Sequence, residues 1–132
     1  MSAAAIKLAA VAAGGALGAS LRYLVAAATH EFLGHDFPYG TLLVNVLGSA
    51  VIGYLVVLIP ETEGSMPIAR LLLITGLLGG FTTYSAFSVE TLELLQDGHL
   101  TKAGLNIATT LFSCLLAVWA GYLVARFVHG TS

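Results

Sequence analysis

Hydroxyl and phenolic side chains are concentrated in one short stretch, GGFTTYSAFS, which runs from Gly79 to Ser88. The stretch lies within an uncharged run, Leu71 to Val89. In a lipid bilayer such donors must face protein or water, because hydrocarbon offers no hydrogen-bond partner. Paired glycines followed by two β-branched threonines also disfavour a helix. The stretch therefore predicts a helix that breaks near Gly79–Thr83 and exposes backbone carbonyl groups.

Polar side chains also share a helical face in two other apolar blocks. Thr41 and Asn45 are four residues apart in the second block. The fourth block carries a similar row, flanked by Thr109 and Cys114: Asn106, Thr110 and Ser113. A primary amide in hydrocarbon needs partners, so both an interhelical hydrogen bond and a pore-lining role are open for Asn45. For each hydroxyl of the fourth block taken alone, a bond to its own helix four residues earlier is the favoured interpretation.

The composition places these polar groups in a membrane protein. Of 132 residues, 58% are hydrophobic and 9% are charged, with a mean hydropathy of +0.92. A net charge of −2 with five basic residues leaves no patch for a phosphate backbone, so no nucleic-acid partner is expected. All four histidines lie outside the apolar blocks, and no nucleophile–base–orienter set can be assembled. The chain is therefore predicted not to be an enzyme.

Four apolar blocks are long enough to span a bilayer as helices, which takes about 20 residues each. The predicted fold is all-α, a single membrane domain over residues 1–132. The connections between the blocks are short, with glycine and proline in them. The predicted spans are 4–28, 39–59, 70–95 and 102–126.

Basic residues are divided almost evenly between the two sides of such a bundle. One side carries Lys7, Arg70 and Arg126, and the other carries Arg22 and Lys102. This weak bias permits insertion in both orientations. Four short helices are too few to enclose an aqueous pathway easily, so an oligomer is expected. The spacings Gly14/Gly18 and Gly76/Gly80 predict close helix packing.

The polar inventory of the spans suits an anion better than a cation, because it offers amide, hydroxyl and phenolic donors. Tyr84 and Phe87 are three residues apart, and the positive edges of their rings can approach an anion. Packing against neighbouring helices is the alternative for both rings. Carbonyl groups exposed by the break could also hold Na⁺, so that one motif could serve two ions of opposite sign. Arg22 is either a cation at a pore mouth or a side chain that snorkels to the interface.

Three segments carry a resemblance that covers nearly the whole chain: GALGASLRY, PYGTLLVNVLGS and GGFTTYSAFSVET. Together they resemble the Fluc/CrcB family of fluoride channels. The resemblance implies an antiparallel, dual-topology homodimer in the bacterial inner membrane, with two fluoride pores and a central structural Na⁺. It also implies passive export of cytoplasmic fluoride, which lowers fluoride toxicity.

Carried over by motif position, the resemblance assigns Na⁺-binding carbonyls to Gly79 and Thr82 and a vestibule cation to Arg22. Together, the resemblance and the polar faces predict a fluoride pore lined by Asn45, Tyr84, Phe87, Thr110, Ser113, Cys114, Thr41 and Ser88. Tyr84 stands where the family commonly has Phe, and its hydroxyl could bond the ion directly. Cys114 stands at a family hydroxyl position, and Ser113 could act instead because a thiol is a weak donor.

Two other hypotheses use the same four spans. A small multidrug-type exporter needs a membrane carboxylate, usually in the first span, but the first acidic residue is Glu31 in a predicted loop. Proton-coupled uptake of an organic cation would support it. A non-transporting assembly factor would use its glycines and hydroxyls only for packing, and a reconstituted dimer that is tight to ions would support it.

Overall fold

The computed structural model describes residues 1–130. Four helical spans in it are long and apolar enough to cross a membrane. They are Ala3–Leu33, Tyr39–Leu58, Ile68–Gln96 and Leu100–His129. Within the described residues, β-structure is limited to one isolated bridge, between Thr62 and Ser65 in the loop after the second span. The prediction of an all-α chain with four spans is confirmed.

The first helix continues past its predicted end at residue 28 and stops at Leu33. Between residue 28 and Gly34 the sequence has no glycine or proline, and Gly34 takes a φ of 79°. That left-handed conformation suits glycine and ends the helix. The fourth helix likewise exceeds its predicted span, 102–126, at both ends.

The third span consists of several pieces. Its first half is helical over Ile68–Arg70, Leu71–Leu78 and Gly79–Phe81, and the middle piece is a π-helix with a wider turn. Thr82 and Thr83 are extended, with ψ of 157° and 118°. A second helix then covers Tyr84–Gln96. The break lies inside the predicted interval, whereas the π-helix was not predicted.

Glycines bring the first span into backbone contact with the first half of the third span, and this line of contact forms a first seam between helices. A Cβ atom on Gly14 would lie 2.2 Å from the carbonyl oxygen of Leu72, and one on Gly18 would lie 2.0 Å from that of Leu77. Gly76 and Gly80 face the first span in the same way. The predicted close packing at these four glycines is confirmed, since no larger residue fits between the helices.

A second seam of this kind joins the second and fourth spans, which pack along one another. A Cβ atom on Gly53 would lie 2.0 Å from the carbonyl oxygen of Val118, and one on Gly121 would lie 2.0 Å from that of Ala50. Neither glycine has a partner at a spacing of four, which is the pattern that revealed the first seam. The first span is thus held against the third, and the second against the fourth, by close backbone contact.

The break lets the third span change neighbours. Before it, the helix packs on the first span, and after it the Tyr84–Gln96 helix contacts mainly the fourth span. Most large apolar side chains of the described chain face outward, including Phe127, which is 90% exposed, and Tyr84, which is 80% exposed. An apolar surface this extensive suits lipid or a second copy of the chain rather than water.

Candidate functional site

Asn45 of the second span holds the break in the third. Its Nδ2 group donates to the Thr83 carbonyl at 2.9 Å, and its Oδ1 atom accepts from the Thr83 amide at 2.8 Å. The side-chain amide thus satisfies both backbone groups of one extended residue. Asn45 is only 9% exposed, so these bonds are made away from solvent. This is the interhelical bond expected as one reading of Asn45, and Thr83 is a partner that the sequence did not indicate.

The break redirects two amide groups that a continuous helix would give to the carbonyls of Gly79 and Thr82, four residues earlier. The Thr83 amide donates to Asn45 instead, and the Ala86 amide donates to the Thr83 hydroxyl at 3.2 Å. Gly79 and Thr82 therefore have carbonyl oxygens without their helical donors. These are the two residues at which carbonyl ligands were predicted.

Of the two carbonyls between them, that of Gly80 is bonded by a cation. The Nε group of Arg22 donates to it at 3.0 Å. A positive side chain at this helix end also interacts favourably with the dipole of the segment that stops there. Arg22 is therefore half-buried against the break, and its role as a vestibule cation stays a prediction.

A cavity of about 410 Å³ lies beside the break, between the second, third and fourth spans. It contains four of the predicted pore residues: Asn45, Tyr84, Thr110 and Cys114. Gly79 and Thr82 also line it, together with Ser49 and several aliphatic side chains. The Thr110 hydroxyl is buried and has no hydrogen-bond partner. The cavity thus combines apolar walls with a few donors, as binding sites for small ligands commonly do.

The other predicted pore residues lie elsewhere. The hydroxyls of Ser88 and Ser113 donate to the carbonyls of Tyr84 and Thr109 in their own helices, which is the alternative that the sequence left open for each hydroxyl. Phe87 contacts Tyr84 edge to face, with ring centroids 5.5 Å apart. Pore roles for these three residues stay predictions.

Thr41 lies at a second cavity, of about 230 Å³, on the other side of the break. Its hydroxyl donates to Glu90 Oε1 at 2.7 Å, while Glu90 Oε2 is buried without a partner. Arg22 and Thr83 line the same cavity. Thr83 lines both cavities. The one signal in the sequence that could have indicated a role of Glu90 at the break is its position seven residues, about two helical turns, after Thr83.

Four membrane-crossing helices, a broken third span and an adjacent cavity with few donors define a multi-pass membrane protein built around a helix interruption. The family described as "CrcB-like protein, Camphor Resistance (CrcB)" matches residues 9–122. The chain belongs to this family, as the resemblance of its motifs predicted. It is a multi-pass membrane protein, and in bacteria the membrane concerned is the cell membrane.

Several similar proteins carry the name "Fluoride-specific ion channel FluC". One from Methylococcus capsulatus is 43% identical over 92% of this chain and 53% of its own length. One from Opitutus terrae is 45% identical over 87% of this chain and 89% of its own length. One from Geobacter sulfurreducens is 44% identical over 89% of this chain and 94% of its own length. The chain thus spans about half of the first relative and nearly all of the other two.

Proposed function

We propose that this chain forms a fluoride-selective channel through which cytoplasmic fluoride leaves the cell passively. The observation that carries the proposal is the cavity beside the break, where Asn45, Tyr84 and Thr110 bring donors to one place. The names of the similar proteins give the ion, since they are called fluoride-specific channels. Those names also agree with the prediction that the chain is not an enzyme.

The donors around the cavity suit a small, strongly hydrated anion. An amide nitrogen has two hydrogens, and Asn45 uses one of them for the Thr83 carbonyl. The Thr110 hydroxyl is buried without a partner and is therefore available as a donor. An ion that leaves water must recover its hydration from such groups. The Tyr84 ring at the cavity wall offers either its edge or its hydroxyl.

The break also supports the proposed structural Na⁺. The Gly79 and Thr82 carbonyls lack their helical amide partners, and carbonyl oxygens are suitable ligands for Na⁺ within a membrane. Two carbonyls are few for one cation, whereas two copies of the chain would supply four. In the proposed antiparallel homodimer, the two breaks face one another around the ion, and each protomer contributes one fluoride pore. The exposed Gly79 is accessible for such a contact.

The direction of transport follows from charge. With the cell interior negative by ~100 mV, one outward elementary charge gains about 2.3 kcal/mol. Export therefore requires no pump as long as other anions are excluded. Arg22, which lines the second cavity beside the break, is the proposed vestibule cation that concentrates anions near the path.

Purified protein in liposomes loaded with potassium fluoride or potassium chloride tests the proposal. With valinomycin to carry K⁺, fluoride appears outside at a rate well above that of empty liposomes, and chloride does not. Equal release of the two halides would contradict a selective fluoride channel. A reconstituted dimer that releases neither would instead support the assembly-factor hypothesis. Replacing Na⁺ by a large organic cation throughout purification is expected to lower the fluoride rate, which tests the proposed ion at Gly79 and Thr82.

A further inference from the structure

The helix after the break buries few side chains. Among the described residues of Tyr84–Gln96, the one buried side chain is that of Thr91, which is 8% exposed. It faces Asn106 of the fourth span, a side chain that is 1% exposed. The best-buried contact between this helix and its neighbour is therefore polar. Its geometry is more restrictive than that of an apolar contact, because a hydrogen bond depends on both distance and angle.

A chain of contacts leads from this buried pair to the cavity. Asn106 Nδ2 donates to the Thr91 hydroxyl at 2.9 Å, and that hydroxyl donates to the Phe87 carbonyl at 2.7 Å. The Phe87 ring contacts the Tyr84 ring, and Tyr84 lines the larger cavity. The Thr91 hydroxyl thus accepts and donates at once, which fixes its rotamer.

We infer that Asn106 is a positioning residue for the aromatic pair: by fixing Thr91, it sets where Tyr84 and Phe87 stand beside the permeating anion. This inference rests on the proposed function. Asn106 does not line the larger cavity, so it acts through Thr91 rather than by touching the ion. A slide or rotation of the Tyr84–Gln96 helix breaks the Asn106–Thr91 bond and moves both rings, because they lie one and two turns earlier on the same helix.

A purely structural bond and a positioning bond make different predictions. If the pair only stabilises the fold, replacing both partners by apolar residues restores stability and normal transport together, since no buried polar group is left unpaired. If the pair positions the rings, the double variant regains stability, but its transport remains altered because the directional bond is gone.

The experiment compares Asn106→Leu, Thr91→Val, the double variant and Thr91→Ser, with Ser20→Ala as the control. Ser20 donates to the Ala16 carbonyl on the exposed side of the first span. In liposomes, we expect about a threefold or larger rise in the half-saturating fluoride concentration, or an equal loss of fluoride-over-chloride selectivity, for both single variants and the double variant. Thr91→Ser keeps the hydroxyl and is expected to match the wild type, as is Ser20→Ala. A folded Thr91→Val or double variant with wild-type saturation and selectivity overturns the inference.

Hydrogen exchange separates this inference from the proposed function. Loss of the buried bond is expected to speed exchange of the amides from Tyr84 to Ser88 in Thr91→Val, whether or not fluoride passes, and to leave them unchanged in Ser20→Ala. Wild-type protein that carries no fluoride refutes the proposed function. Unchanged exchange in Thr91→Val refutes the positional coupling, even in a chain that carries fluoride normally.

Discussion

The break in the third span and the hydroxyl row of the fourth span contain similar polar residues but use them differently. At the break in the third span, Asn45 of the second span bonds the backbone of Thr83, and Arg22 of the first span bonds the Gly80 carbonyl. In the fourth span, Thr109 and Ser113 donate to carbonyls of their own helix. An interrupted helix has unpaired backbone groups that need partners elsewhere, whereas an intact helix can satisfy its own hydroxyls.

Two residues of the fourth span do not follow this pattern. Asn106 bonds Thr91 of the third span, and the Thr110 hydroxyl is buried without a partner. Both lie where the fourth span meets the third span around or after its break. In the row of Asn106, Thr110 and Ser113, the two residues beside the break or the helix that follows it thus differ from Ser113, which donates to its own helix.

The largest expected effect is at Asn45. Asn45→Leu removes both bonds to Thr83 and leaves a backbone amide and a carbonyl unpaired, at a cost of about 1–3 kcal/mol each. We expect a total loss of about 2–6 kcal/mol in the free energy of unfolding. Fluoride efflux should also fall at least about tenfold, because the break and the cavity share this residue. Denaturant titration of the purified protein and the liposome assay measure the two effects.

Ser49→Ala is the matched control, since Ser49 lies one turn further along the same helix and lines the same cavity. Its stability is expected to change by less than about 0.5 kcal/mol, as for substitutions that break no buried network. An Asn45→Leu protein as stable as this control would mean that the break does not depend on Asn45.

A smaller effect is expected at Thr83, whose hydroxyl caps the Tyr84–Gln96 helix by accepting from the Ala86 amide. Thr83→Ala should cost about 1 kcal/mol, the usual effect of losing such a cap, and Thr83→Ser should retain most of the stability. Thr109→Ala gives the comparison in the fourth span and is expected to cost less, because its hydroxyl satisfies only its own helix. If Thr109→Ala costs as much as Thr83→Ala, the distinction between the two regions fails.

The sequence was sufficient for the parts that depend on local chemistry. Two glycines before two threonines predicted the break, and two glycine pairs at a spacing of four predicted the first seam. The seam at Gly53 and Gly121 was not predicted, because each is a single glycine whose packing role depends on which residues of the opposing helix lie against it.

The partners of the site residues also could not be predicted from the sequence. Thr83, Glu90 and the Asn106–Thr91 bond depend on which helices become neighbours after the break. The spacing of Asn45 gave its helical face but not the residue opposite. Spacing alone allowed each hydroxyl either to line a pore or to bond its own helix. In the structure Thr110 lies at the cavity, whereas Ser113 is bonded to its own helix.

The smallest effects on stability, and the sharpest test of the comparison, are expected in the fourth span itself. Thr110→Val is close in shape and removes a hydroxyl that is buried without a partner, so the free energy of unfolding should be unchanged or rise by up to about 1 kcal/mol. Fluoride efflux should nevertheless fall several-fold, because a donor at the cavity is lost. Ser113→Ala removes a hydroxyl bonded to its own helix, away from either cavity, and should change stability and efflux little. Measured together in liposomes and in denaturant, the two variants decide whether the fourth span contributes a continuous hydroxyl row or one donor beside the break. Equal losses of efflux in both would favour the continuous row that the sequence first indicated.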